Sequence, residues 1–332
     1  MPKVLDRLPD GFLDVSARSL HSIVPTPTLI HLPGRRPQPL FTSILLHGDE
    51  DVGLRAVQQL LRSFGDRELP RALSIFVGNV AAARAGVRRL EGQPDYNRVW
   101  PGTEFPDLPE SRMMSEIVAQ MRARDVFAAV DLHNNTGVNP IYCCVNRTEN
   151  HHLHLASLFS RTVVYFLRPK GVQAMAFAPL CPAVTCECGK VGDEMGALRA
   201  VEFLNSCLHV AEIPNTPAAP TDIHLYHTLA IVKVPAGATM SFGDGAADFM
   251  FLRDLDRLNF LELSRGAAIG ARASGSASEL EVWDENGRDV RHEFIDYAND
   301  EIRLKRPLIP SMFTRNERVI RQDCLGYLMD WL

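Results

Sequence analysis

Residues 41–65 read FTSILLHGDEDVGLRAVQQLLRSFG: an apolar run, a short polar turn and an amphipathic segment in direct succession. The run at 41–47 predicts a β-strand. The segment at 52–65, with apolar residues spaced about 3.6 apart and a closing glycine, predicts an α-helix. Ligands of open α/β sheets collect at the carboxyl ends of strands. The turn therefore places His47 and Glu50, three residues apart, where an α/β protein presents a functional site.

The same alternation continues through the first two-thirds of the chain. Further apolar runs predict strands at 71–80, 126–133, 162–167 and 183–189, and amphipathic segments predict helices at 115–125, 152–162 and 196–213. Strands that alternate with helices indicate an α/β fold, in which a mostly parallel, mixed sheet is flanked by helices.

The pattern changes after a connector rich in Pro and Ala at 214–222. Short extended runs follow at 228–237, 279–283 and 292–298, and DENG at 284–287 is a turn signal between two of them. We therefore predict two domains: an α/β domain over residues 1–215 and a smaller β-rich domain over residues 216–332.

Composition narrows the class of protein. The chain has 332 residues, of which 46% are hydrophobic, and its formal net charge of −5 gives no reason to expect nucleic acid or an anionic membrane as a partner. No apolar run is long enough to span a bilayer, and the start, MPKVLDRLPDGFLDV, has no apolar signal-peptide core. Seven cysteines, an odd number, do not suggest a disulfide scaffold. We expect a soluble protein in the reducing cytoplasm.

Two strand ends offer metal ligands. His47 and Glu50 follow the first strand, and His133 ends the strand at 126–133 and opens a polar loop. Imidazole nitrogens and carboxylate oxygens suit zinc, and a catalytic zinc usually has three protein ligands. A lone His-x-x-Glu is common by chance, but a second histidine at an independent strand end favours a His47/Glu50/His133 site. Asp131 lies on the same strand face as His133 and is either its carboxylate partner or only a cap of the strand end.

A third strand end carries an acid. Glu187 lies inside the apolar run AVTCECG, where a carboxylate costs free energy unless it has a partner. It is either a salt-bridged or outward-facing strand residue, or a general base near a metal ion.

The segment 86–102, GVRRLEGQPDYNRVWPG, is polar, basic and punctuated by Gly and Pro, so it predicts a loop. Asn97 and Arg98 offer an amide and a guanidinium that match a carboxylate. Arg88 and Arg89 are further candidates, although surface arginines are usually only solvated.

Two histidine and cysteine clusters have simpler explanations. HHLH at 151–154 could bind a metal, but it begins a helical pattern and we favour a solvated helix start. CEC at 186–188 could be a redox pair, but two buried thiols are favoured.

Four motifs in order carry a resemblance to a known family: HGDE (47–50), GNVAAARAGVRR…DYNR (78–98), DLH (131–133) and ECG (187–189). Over about residues 45–205 the chain resembles the succinylglutamate desuccinylase/aspartoacylase family, relatives of the zinc carboxypeptidases. The resemblance implies a zinc-carboxypeptidase-like catalytic domain. It also implies one Zn²⁺ per chain, bound by His47, Glu50 and His133.

The resemblance also implies roles for the remaining residues. Glu187 would activate the attacking water and later protonate the leaving nitrogen. Asn97 and Arg98 would hold a substrate carboxylate. An arginine upstream in the same loop would polarise the scissile carbonyl; because the loop is one residue longer here, Arg88 and Arg89 compete for that part.

The expected activity is hydrolysis of the amide bond of a small N-acyl amino acid. Several family members carry an arginine ten residues before the ECG glutamate, where this chain has Phe177. A dicarboxylic substrate such as N-acetylaspartate or succinylglutamate is therefore in doubt, and a less acidic N-acyl amino acid or a short peptide is favoured. The alternatives are a metallocarboxypeptidase acting on short peptides and a non-catalytic binding protein that retains the fold. Whether Tyr297 reaches the pocket and whether the chain forms a homo-oligomer stay open.

Overall fold

The computed structural model describes residues 2–219 and 221–332, which form two compact units. Unit 1 runs to Asn134 and adds Ile141–Tyr165 and Pro169–His224. Unit 2 comprises Asn135–Pro140, Phe166–Arg168 and Leu225–Leu332.

Unit 1 is an α/β layer structure. Its strands are β1 (Lys3–Leu5), β2 (Thr28–Leu32), β3 (Gly34–Ile44), β4 (Leu69–Val77), β5 (Ala128–Asn135), β6 (Tyr142–Val145), β7 (Thr162–Tyr165) and β8 (Ala183–Lys190). Its helices are α1 (Val52–Phe64), α2 (Val80–Ala85), α3 (Pro109–Ala123), α4 (Asn150–Phe159), α5 (Gln173–Phe177) and α6 (Glu194–His209). A 3₁₀ turn spans Leu20–Ser22.

The sheet of unit 1 has the order β1-β2-β4-β3-β5-β8-β6-β7. β3 pairs in parallel with both β4 and β5, β6 pairs in parallel with β7, and the pairs β2–β4 and β6–β8 are antiparallel. The predicted α/β fold with a mixed sheet is therefore confirmed. Because β3 and β5 are parallel neighbours, the residues that follow both strands leave the sheet at the same edge.

An aromatic core fixes one face of this sheet. The rings of Phe41 and Phe177 stack with their centroids 4.5 Å apart, and Trp100 lies 6.0 Å from Phe177 in an edge-on arrangement. All three side chains are fully buried. Since Phe177 belongs to α5, this stacking ties α5 to the sheet beside β3.

Several predicted boundaries in unit 1 differ from the structure, among them the helix predicted at 115–125, which is α3 (Pro109–Ala123), and three of the differences have an identifiable reason. The strand predicted at 71–80 ends at Val77, because Asn79 accepts a hydrogen bond from Ala82 N at 3.1 Å and caps the short helix α2. The helix predicted to reach residue 213 ends at His209, where arginine side chains from β3 and β4 bind its last carbonyl groups. β3 begins at Gly34, earlier than predicted. The prediction missed this part of the strand because the stretch GRRPQP carries no apolar alternation.

Unit 2 is β-rich, as predicted. Its strands are β9 (His224–Lys233), β10 (Met240–Phe242), β11 (Phe249–Phe251), β12 (Ala268–Arg272), β13 (Glu281–Asp284), β14 (Ile295–Ala298), β15 (Glu301–Leu304), β16 (Ile309–Ser311) and β17 (Gly326–Trp331). Its short helices are α7 (Arg291–Phe294) and α8 (Glu317–Gln322), with a 3₁₀ turn at Leu255–Leu258. The extended run predicted at 292–298 is helical in its first half, so that part of the prediction was wrong.

Two strand groups make up unit 2. β9 pairs antiparallel with β17 and β13, and β17 pairs antiparallel with β16. A separate five-stranded sheet has the order β10-β11-β12-β15-β14. None of the helices among the described residues has the length and apolar character needed to cross a membrane.

Candidate active site

The chain leaves β3 abruptly before His47. Leu45 has a φ of 55°, in the left-handed region that few side chains adopt, and this turn directs the following residues away from the sheet. Glu50 N donates to His47 O at 3.3 Å, which closes a turn and brings both side chains to one side. Gly48 is required between them, because a Cβ there would lie about 2.1 Å from Ala83 N.

The turn brings a carboxylate between two imidazoles. Glu50 Oε1 lies 2.8 Å from Nδ1 of His47, and Glu50 Oε2 lies 2.7 Å from Nδ1 of His133, which projects from β5. One ligand atom from each of these buried residues lies within 4.8 Å of the others. In the part of the chain that the structure describes, this is the only group of three or more such residues that could hold a metal ion.

Each histidine also faces a second carboxylate through its Nε2 atom, on the side of the ring away from Glu50. Asp95 Oδ1 is 3.0 Å from Nε2 of His47, and Asp131 Oδ2 is 2.7 Å from Nε2 of His133. Ser43 on β3 donates to the other oxygen of Asp131 at 2.6 Å. When Nε2 of a histidine donates its proton to a carboxylate, Nδ1 is the nitrogen left to bind a metal ion. The two Nδ1 atoms and the carboxylate of Glu50 therefore fit as ligands of one metal ion. For Asp131 this position agrees with the first of the two alternatives, a carboxylate partner of His133. The sequence assigned no role to Asp95, which lies within DYNR.

The cluster is strongly coupled electrostatically. Burial disfavours the charged ring of His133, but Asp131 and Glu50 raise its pKa well above the ordinary value. Burial and Arg88 likewise oppose the charge on His47, yet Glu50 and Asp95 raise its pKa. His47, Arg88 and Arg98 outweigh the desolvation of Asp95 and hold its pKa well below the ordinary range. Asp95 therefore stays ionised between His47 and Arg88.

The two neighbouring arginines of the loop, Arg88 and Arg89, have different hydrogen-bond partners. Arg88 Nη1 donates to Glu50 Oε1 at 3.2 Å, and its Nη2 donates to Asp95 Oδ2 at 3.1 Å. Arg89 Nη1 instead donates to the backbone carbonyl of Gln93 at 2.8 Å. Arg88 is thus the arginine that lies at the histidine–carboxylate cluster.

Asn97 is buried beside His133. Its Oδ1 accepts from Gln173 N at 3.0 Å, and its Nδ2 lies 3.1 Å from Nε2 of His133. Asp131 also contacts this ring nitrogen, so the Asn97 amide and a carboxylate both face the same side of the His133 ring. Arg98 Nη1 donates to the backbone carbonyl of Asn97 at 2.8 Å.

Glu187 points to the same side of the sheet as His133. β8 lies next to β5 in the sheet. Leu132 packs against α1 and Cys188 packs against α6, and these two helices pack against each other on one face. Since side chains alternate along a strand, His133 and Glu187 both project from the opposite face. Glu187 is buried, and Tyr142 on β6 lies opposite it in the register.

The part of the chain that carries these residues matches a known protein family. The family model described as the succinylglutamate desuccinylase/aspartoacylase catalytic domain matches residues 45–213, just over half of the chain. The chain belongs to this family. The four motifs that carried the resemblance all lie within the matched range.

Solved structures show the same fold. A succinylglutamate desuccinylase/aspartoacylase from Rhodobacter sphaeroides is 16% identical, with a TM-score of 0.60, and the match covers 91% of this chain and 88% of that one. The succinylglutamate desuccinylase from Chromobacterium violaceum is 18% identical, with a TM-score of 0.55 and coverage of 90% and 86%. Murine aminoacylase 3 is 14% identical, with a TM-score of 0.57 and coverage of 90% and 96%. A search of curated protein sequences finds no significant match.

One amide that the sequence analysis did not single out connects three family motifs. Asn134, next to His133, accepts from Val52 N at 3.2 Å and donates to the carbonyls of Gly189 and Lys190, both at 3.1 Å. It thereby joins the start of α1, just after HGDE, to the end of β8, at the glycine of ECG and the residue that follows it. The only available signal was its place directly after DLH.

The histidine tract at 151–154 lies within α4 and, among the described residues, joins no group of metal ligands. His154 contacts the carbonyl of Thr216 at 2.7 Å. His152 is fully buried and accepts from Ala183 N at 3.1 Å, so the expectation of a solvated helix start was wrong for this residue.

Cys186 and Cys188 are buried free thiols, as we favoured. Within unit 2, the hydroxyl of Tyr297 accepts from Leu280 N at 2.7 Å, and the guanidinium of Arg272 lies 4.5 Å from its ring.

Proposed function

We propose that the chain is a zinc-dependent hydrolase that cleaves the amide bond between an acyl group and an amino acid. One observation carries the proposal: Nδ1 of His47 and of His133 converge on the carboxylate of Glu50, while their Nε2 atoms face two other carboxylates. Two imidazoles and a carboxylate are a donor set of catalytic zinc sites. One Zn²⁺ per chain would be held by these three side chains.

Bound zinc would polarise a carbonyl oxygen and lower the pKa of a water molecule. Glu187 would accept the proton of the attacking water and pass it to the leaving nitrogen. Arg88 would donate hydrogen bonds to the charge that develops on the carbonyl oxygen. Its contacts with Glu50 and Asp95 support this role, because they hold the guanidinium at the cluster before substrate arrives.

Asn97 and Arg98 would bind the carboxylate of the amino-acid product. The Asn97 amide lies beside His133, and Arg98 is its neighbour in the chain. Phe177 supports a less acidic substrate than N-acetylaspartate or succinylglutamate. Its ring is fully buried against Phe41, so this position offers no cation to a second carboxylate.

Metal analysis combined with a substrate screen tests this function. The purified protein is assayed for zinc content and for hydrolysis of N-acetyl and N-succinyl amino acids and of dipeptides. His47→Ala, Glu50→Ala and His133→Ala should each remove zinc and activity, whereas His151→Ala, at a histidine outside the cluster, should remove neither. Full zinc content in the first three variants would show that the metal site is misplaced.

The same screen separates the alternatives. Preference for dipeptides would indicate a metallocarboxypeptidase. Stoichiometric zinc without turnover of either substrate class would indicate a binding protein that retains the fold.

A further inference from the structure

Gln173 is a fully buried amide without partners. It is the first residue of α5, its side chain is 0% exposed, and neither Oε1 nor Nε2 has a hydrogen-bond partner among the residues that the structure describes. Buried polar groups are normally hydrogen-bonded, because leaving them unpaired costs their full desolvation. Here both polar atoms of one side-chain amide are unpaired, and this cost in stability suggests that the amide binds a ligand.

Another buried glutamine shows the usual outcome. Gln58 on α1 is 7% exposed, and its Nε2 donates to the backbone carbonyls of Phe12 and Val15, both at 2.8 Å. The contrast is therefore between two buried glutamine side chains of unit 1, one engaged with backbone and one not.

Gln173 is held directly against the proposed carboxylate-binding pair. Its backbone N–H donates to Asn97 Oδ1 at 3.0 Å, and the Nδ2 atom of Asn97 lies 3.1 Å from a ring nitrogen of His133. Two residues earlier, Gly171 lies so close to the loop that a Cβ there would be 2.3 Å from Arg98 O. The start of α5 is thus fixed to the residues that would bind the amino-acid part of a substrate.

We propose that Gln173 determines specificity by pairing its side-chain amide with a neutral amide group on the side chain of the substrate's amino acid. The proposal rests on the function proposed above. An amide satisfies both orphaned atoms, because it accepts from Nε2 and donates to Oε1. A carboxylate would satisfy Nε2 only and would leave Oε1 beside a negative charge. The substrate class is therefore N-acylated glutamine or asparagine rather than N-acylated glutamate or aspartate.

The test compares three substrates of nearly equal shape: N-acetylglutamine, N-acetylglutamate and N-acetylmethionine. The zinc-loaded parent should have its highest kcat/KM for N-acetylglutamine. Gln173→Met removes both polar atoms at similar volume and should lower that value by about 10- to 100-fold, while N-acetylmethionine changes little. Gln58→Met is the matched control and should leave the ranking of the three substrates unchanged.

Thermal unfolding of the free protein supplies a second measurement. Gln173→Met should raise Tm, because an unpaired amide is replaced by an apolar chain, whereas Gln58→Met should lower it. A raised Tm with an unchanged substrate ranking would overturn the proposal and make Gln173 a buried group without a role in recognition. Equal losses on all three substrates would overturn it as well.

Calorimetric binding of free glutamine, glutamate and methionine keeps the test independent of turnover. If no N-acyl amino acid is hydrolysed, the proposed function fails, yet a preference for glutamine that Gln173→Met abolishes would still support this inference. If N-acyl amino acids are hydrolysed and the preference ignores residue 173, only this inference fails.

Discussion

Replacing Asp95 by asparagine tests whether the carboxylate behind His47 supports the proposed zinc centre. Asp95 serves two donors at once: Oδ1 faces Nε2 of His47 at 3.0 Å, and Oδ2 accepts from Arg88 at 3.1 Å. Asparagine has the same shape but only one acceptor oxygen, so it keeps one contact and turns N–H groups towards the other donor. Carboxylate partners of metal-binding histidines typically contribute about 10- to 100-fold to metal affinity, or about 1.4–2.7 kcal/mol.

The assay is competition for Zn²⁺ between the protein and a chelator of known affinity, followed by kcat/KM on the best N-acyl amino acid. We expect Asp95→Asn to weaken zinc binding by about 10- to 100-fold. It should also lower kcat, because Arg88 loses an anchor. Asp284→Asn is the control, since Asp284 in unit 2 is a similarly buried carboxylate paired with an arginine. Zinc affinity within about twofold of the parent would refute the reasoning.

Three further changes test other parts of the site and the fold. Glu187→Gln should lower kcat by about 10²–10⁴-fold while zinc content and folding hold; loss of zinc in parallel would make Glu187 a ligand instead. Arg98→Ala should raise KM for substrates with a free carboxylate much more than for their amidated analogues, and equal increases would assign Arg98 a structural role. Burial lowers the pKa of His152 from its ordinary value of 6.5 to about 4, so the folded protein keeps this ring neutral. Its contribution to stability is present above pH 6.5 and is lost as the pH falls from 6.5 towards 4. His152→Asn should therefore flatten the decline in unfolding free energy over that range by up to about 1.4 kcal/mol per pH unit, measured by urea unfolding; an unchanged slope would contradict the assignment.

Hydrophobic periodicity was enough to predict the α/β alternation of unit 1. The helix predicted at 52–65 matches α1 at Val52–Phe64, because one continuous apolar face packs on the sheet. The short helix α2 could not be predicted in this way. Its six residues, VAAARA, span less than two turns, and what defines it is the cap from Asn79. The end of α6 depends on arginines that lie more than a hundred residues away in sequence.

Some residues of the candidate site could likewise be predicted from the sequence, and others could not. His47, Glu50 and His133 could be selected from sequence, because each follows an apolar run and strand ends in an α/β sheet share one edge. The partner of His47 could not, since Asp95 lies 48 residues further along in a loop whose path no periodicity describes. The choice between Arg88 and Arg89 also required coordinates, because adjacent residues in an irregular loop point in directions that depend on every preceding dihedral angle.

Asn134 shows why positioning groups are harder to predict than ligands. A metal ligand must be one of a few residue types, whereas the polar atoms of Asn134 act only on backbone groups, which every residue possesses. Its amide holds Val52 N and the carbonyls of Gly189 and Lys190, so the segments that carry Glu50 and Glu187 are fixed relative to each other through it. The distance between a proposed metal ligand and a proposed base therefore depends on a side chain that would contact neither substrate nor metal. Sequence motifs identify the residues of such a site, and contacts of this kind set the distances between them.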